Sequence, residues 1–369
     1  MRKERITDKE ATCILIIFYI GSSFILGVGT GAKNDAWISV LLGVSLSIPI
    51  VLVYGRLLSL FPEKGLYDIV DQIFGKVIGK LVAIIYIWYT FHLGALIMRN
   101  FGEFINTSAM PETPLFVPIL CLGIVSIVAV RSGIEVIGRI SATSLPFLLF
   151  IIVVVQFMGI PQLHFHYIKP ILGNGFSPIM KAGFSTFAFP FAESVVLLGA
   201  FFSLKTKVSP LKIFLKGTVF AGLLIFFITL RNILILGGIL PKLYFPAHVA
   251  VSRIIIGDFL QRIELTVAVI FIFGVFIKGS ICLLVCSIGF AKLFNLHDYR
   301  SIVIQNGLLM IFFAYTIYDS IFEMRKWAFE IYTYYAFPFQ VIIPLLMLVI
   351  AEIKVRVDKK QSTNSIESG

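Results

Sequence analysis

The residues able to do chemistry in this chain are few, and they lie inside apolar runs. Glu193 falls in Phe184-Ser-Thr-Phe-Ala-Phe-Pro-Phe-Ala-Glu-Ser-Val-Val196, and Lys278 sits at the centre of an apolar run over 263–293. An ionisable group at bilayer depth is costly and marks a substrate, ion or proton site. Lys278 is too deep to snorkel easily, so it should lose its proton or find an anion. If the two runs adjoin, Glu193 is its nearest partner; a ligand carboxylate is the alternative. Arg231, beside Asn232 towards the end of another run, reads as a snorkelling cation ahead of a gating ion pair. His92 reads as a satisfied structural histidine ahead of a proton relay. Cys13, Cys121, Cys282 and Cys286 form no CxxC pair and read as packing residues. No phosphate-binding loop, nucleophile elbow or zinc-binding helix is present, so neither an enzyme nor a cofactor is expected.

The elements that must position these groups are membrane helices. Of 369 residues, 58% are hydrophobic and 14% charged, against about 25% charged in soluble proteins. A span needs about 20 apolar residues. Ten are predicted, over 11–31, 36–60, 79–105, 114–130, 139–160, 176–203, 211–238, 263–293, 301–320 and 332–352. Residues 1–10 form a cytoplasmic segment. Residues 11–352 form one transmembrane domain with halves 11–160 and 176–352, and 353–369 form a polar tail expected to be disordered. The Lys and Arg excess lies beside the termini, at 2–9, 56–80, 205–216 and 354–360, which places both ends in the cytoplasm. The net charge of +11 is therefore topology, with attraction to anionic membrane lipid as a by-product and no nucleic acid implied.

Two spans carry interruptions. Pro190 removes an N–H and clashes with the preceding turn, so span six should break near Glu193. Gly21-Ser22-Ser23, near the middle of span one, could let the backbone leave the helix, although small residues also serve close helix packing. Spans one and six would open two five-span halves, and corresponding interruptions in two halves point to an inverted-repeat transporter fold. Tyr86, Tyr89 and Leu93 in span three share a face that could line a cavity or simply pack. Arg99 and Glu103, four apart, read as a local ion pair. Residues 66–74 read as a short interfacial helix, residues 245–262 as an amphipathic outer helix, and Pro338 and Pro344 should bend span ten.

Short motifs then accumulate in a specific order: Asp35-Ala-Trp-Ile-Ser39; Phe61-Pro62 with Phe74-Gly75-Lys76; Arg99 with Glu103; Pro190-Phe-Ala-Glu193; Arg231-Asn232; Lys278-Gly-Ser280; and Gly289-Phe-Ala-Lys-Leu-Phe294. In these the chain resembles the B subunit of endospore germinant receptors, the spore germination permease family of the amino acid–polyamine–organocation superfamily. One departure is Ala192, where the family leads one to expect glycine; its methyl could narrow a ligand's approach. The resemblance implies an all-α fold of about ten helices, a 5+5 inverted repeat like the sodium-coupled leucine transporter's with helices 1 and 6 broken, in the spore inner membrane. It implies a nutrient germinant, an amino acid above all, and a complex with an A subunit and a lipoprotein C subunit. Lys278 could also stand where related folds hold a sodium ion. On this reading a zwitterion lies between the two breaks. Its carboxylate meets N–H groups after Gly21, Ser22 and Ser23, its ammonium meets carbonyls around Phe189, Pro190 and Phe191, and Tyr89, Leu93, Lys278 and Cys282 enclose its side chain. The rivals are a proton-coupled amino acid transporter carrying its proton on Glu193 or Lys278, and an inert scaffold for partner subunits.

Overall fold

Hydrocarbon offers no hydrogen bonds, so long apolar stretches fold as helices that satisfy their own backbone. The computed structural model describes residues 4–204, 208–254 and 263–367, with side chains as far as 356, and no strand of a sheet occurs among them. Among the described residues eight helices are long and apolar enough to cross a membrane: α1 (Asp8–Leu26), α2 (Ala36–Leu60, within a longer apolar stretch), α3 (Leu66–Ser108), α5 (Ile134–Met158), α6 (Phe176–Ser203), α7 (Pro210–Leu236), α8 (Glu264–Leu293) and α10 (Ile321–Arg356). Two shorter apolar helices, α4 (Phe116–Ser132) and α9 (Val303–Thr316), complete the ten.

Helix contacts repeat across the two halves. α1 packs on α7 as α6 packs on α2, and α4 packs on α8 as α9 packs on α3. The corresponding pairs α2 with α7, α3 with α8 and α4 with α9 also touch. This is the pattern of a five-helix unit used twice. The termini share one face. There Ile6 N–H donates to Ser203 O at 3.0 Å, Arg56 pairs with Glu352 at 2.7 Å, and Glu4 pairs with Arg300.

Helix α1 starts on a capping box in which Thr7 and Glu10 satisfy each other's backbone. It then runs unbroken through Gly21, Ser22 and Ser23, against the expectation of a break there. A Cβ on Gly21 would lie 2.7 Å from the Gly274 backbone, so this glycine permits α1 and α8 to touch. The chain leaves the helix further on, at Gly27 and Gly29, whose φ values of 70° and 77° suit glycine, and continues as a tight turn over Thr30–Asp35.

Residues 66–74 form a separate first arm of α3, turned at Gly75 (φ 76°). Leu66, Ile69, Val70 and Ile73 are buried, so the apolar face packs on protein rather than lying in the lipid interface. In the outer segment Pro246–Ser252 is a helix that buries Ala247, Ala250 and Val251; the rest of that expectation, 255–262, lies outside the described residues. The helix of α10 continues to Glu367, so the polar tail is helical there rather than disordered.

Candidate functional site

Helix α6 breaks where Pro190 requires it. Phe189 is extended (φ −130°, ψ 119°), the Phe189–Pro190 peptide is cis, and the chain resumes as a tight turn over Ala192–Val196. The carbonyls freed by the break are met by protein donors. Gln340 Nε2 donates to Ala188 O at 3.0 Å and Ser194 Oγ to Phe191 O at 2.7 Å, while Tyr54 OH shares its one proton between Ala192 O at 3.1 Å and Gln340 O at 2.5 Å. Carbonyls expected to face a ligand ammonium are thus partly engaged already.

The break aims Glu193 into the protein. Lys278 Nζ donates to Glu193 Oε2, and Tyr332 OH donates to Glu193 Oε1. Glu193 is 1% exposed and Lys278 0%. The ammonium also sits over the rings of Phe18 (4.9 Å) and Phe189 (5.0 Å), whose π faces favour a cation. Behind the carboxylate, Tyr332 OH lies 3.3 Å from Tyr89 OH, which accepts from Gln340 Nε2 at 2.9 Å. Two buried charges at this depth are tolerable only when paired and hydrogen-bonded.

A cavity of about 380 Å³ opens above the pair. Glu193, Lys278 and Tyr332 form its polar floor, with Ser22 beside them; the Ser22 Oγ is buried without a hydrogen-bond partner. Its walls are mostly apolar, led by Leu93, Leu96, Ile97, Phe189 and Trp327. The mouth is framed by Gly29–Gly31, the first turn of α6 and the start of α10, on the face away from the termini.

Of the residues singled out in the sequence, Ser22, Leu93, Phe189, Glu193 and Lys278 meet at this cavity. The others lie off its wall. Gly21 packs on Gly274, and Ser23 Oγ donates back to Tyr19 O at 2.5 Å. Tyr89 lies one residue behind the floor, Pro190 and Phe191 face the core, and Cys282 packs beside Gly94. Arg231 is buried and donates to Asn232 Oδ1 at 2.8 Å, so it does not snorkel to the surface. Ala192 is buried behind the floor, and its methyl does not narrow the cavity. Arg99 and Glu103 pair at 2.9 Å as their spacing implies. Sequence reasoning missed Tyr332, Gln340, Tyr54 and the Gly27–Gly31 stretch. The signal for Gln340 was an amide between prolines 338 and 344 in an apolar span, and for the stretch a glycine at every second position.

With the paired charges and their cavity placed inside a ten-helix repeat, comparison with known proteins decides the family. The family profile described as "Spore germination protein" matches residues 5–322. The chain belongs to the spore germination protein family. Spore germination protein KB of Bacillus subtilis (strain 168) is 29% identical over 356 residues, covering 95% of each chain. Among solved structures, Mhp1, a nucleobase-cation-symport-1 family transporter closed with bromovinylhydantoin bound, superposes with a TM-score of 0.65 at 14% identity, covering 95% of this chain and 90% of that one. MhsT in complex with L-phenylalanine gives 0.66 at 12% identity, covering 95% and 99%. At such identities the likeness is one of fold, the inverted-repeat fold of the sodium-coupled leucine transporter class. This family and fold are those the ordered motifs pointed to.

Proposed function

We propose that this chain is the nutrient-sensing subunit of a spore germination receptor and takes a small amino acid into the cavity between α1 and α6. The observation that carries the reading is the floor: a paired ammonium and carboxylate at mid-membrane, under a cavity with apolar walls. The Lys278 ammonium has three donors and could serve a ligand carboxylate alongside Glu193. Glu193 and the unpartnered Ser22 Oγ are acceptors for the ligand's ammonium. Leu93, Leu96, Ile97 and Trp327 then select an apolar side chain. The N-terminal approach expected after Gly21 is replaced by this arrangement, because Gly21 stays helical. Binding favours one conformation by its differential affinity, and an A subunit and a lipoprotein C subunit read that conformation in the spore inner membrane. The Lys and Arg excess on the face of the termini supports a cytoplasmic placement for both ends.

Replacing Leu93 by Trp fills the cavity without touching the ion pair. Spores carrying Leu93→Trp should hold normal amounts of the subunit and lose at least tenfold in sensitivity to the nutrient. Undiminished sensitivity would remove this cavity as the ligand site. The buried Glu193–Lys278–Tyr332 cluster also favours a second reading, a proton-coupled amino acid transporter, which requires substrate accumulation driven by a proton gradient.

A further inference from the structure

A groove of about 770 Å³ runs down the flank of the protein between α1, α5 and α7. It begins at the face of the termini, beside the starts of α1 and α7, and runs into the hydrocarbon zone. Lys9, Lys212 and Lys216 stand at its upper end, and Leu145, Leu149 and Leu223 line its length. We propose that this groove holds an anionic phospholipid from the leaflet on the side of the termini.

Three observations point to that occupant. Three lysines face the groove against one acid, Asp8, which is engaged within the protein. Lysines at this depth attract an anionic headgroup by about 1 kcal/mol each, roughly fivefold in affinity. The trough below is open to lipid: Val219, Phe220 and Leu223 are 39%, 41% and 49% exposed. From Lys212 to Leu223 the helix rises about 16 Å, close to the half-thickness of a hydrocarbon core of about 30 Å. A headgroup at the lysines therefore leaves an acyl chain of matching length along the trough. Free phosphate would leave that trough empty, and an acidic peptide has no reason to enter hydrocarbon.

The test uses the full chain purified from phosphatidylcholine vesicles doped with a minority of phosphatidylglycerol, with the co-retained lipid measured by mass spectrometry. Phosphatidylglycerol should be enriched over its share of the vesicle. The enrichment should fall by about 25-fold in Lys212→Gln/Lys216→Gln. Both lysines are exposed, so the variant should fold. Lys76→Gln/Lys80→Gln, an exposed pair on the same face but away from the groove, should leave the enrichment intact. Glycerol phosphate added in excess should not displace the lipid. Equal retention of both lipids by the wild type would overturn the proposal, as would equal losses in the two lysine pairs. Displacement by glycerol phosphate alone would reduce the site to an anion site and overturn the lipid assignment.

Discussion

Glu193 and Lys278 are each tolerable at their depth because the other is there. Removing one partner of such a pair leaves a buried uncompensated charge, at a cost of about 3–5 kcal/mol, whereas replacing both is far milder. Glu193→Gln and Lys278→Met should therefore each lower the thermal stability of the purified chain sharply, and the double variant should regain much of the loss. Additive losses would show that the two charges do not stabilise each other. This pair was legible in the sequence, because charges are conspicuous in apolar runs and the two sat at equal depth. Tyr332 was not. It is one of three tyrosines within Tyr332–Tyr335, and only the wide turn over Trp327–Ile331 decides that Tyr332 faces Glu193 while Tyr334 stays exposed. Tyr54 and Gln340 escaped notice for a similar reason. Their partners are backbone carbonyls freed by a break in another helix.

At the scale of the element, the two interruptions had unequal signals. Pro190 forbids a continuous helix on steric grounds, so the break in α6 followed from one residue. Gly21-Ser22-Ser23 permits either a break or a close contact, and the choice rests on Gly274, a residue distant in sequence that no local pattern brings to it. The break near the end of α1 comes instead where Gly27 and Gly29 take positive φ. Gly21→Leu is accordingly a packing lesion. Overpacking costs about 1–3 kcal/mol or more, and here the obstacle is backbone rather than a yielding side chain. The variant should reduce the amount of folded subunit, as read by its level in membranes and its melting temperature. A normal level accompanied by loss of nutrient response alone would return Gly21 to the ligand site. The arm at 66–74 makes a related point. Its buried face was readable from its spacing, but whether lipid or protein covers that face depends on the neighbouring helices.

For the molecule as a whole, span count and the pairing of halves were legible because hydrocarbon allows so few backbone solutions. The symmetry itself was not visible residue by residue. It appears in the contacts, where α1 on α7 mirrors α6 on α2. The repeat places both interrupted helices against one cavity that opens away from the termini, and the account's central claim is that this cavity binds a small amino acid in order to signal. The most direct measurement is retention of a labelled amino-acid panel by proteoliposomes containing this chain, with and without an inward proton gradient, for the wild type and Leu93→Trp. The account predicts saturable retention of at least one apolar amino acid at about one per chain, indifferent to the gradient and abolished by Leu93→Trp. Gradient-driven accumulation, or retention that Leu93→Trp leaves unchanged, would contradict it.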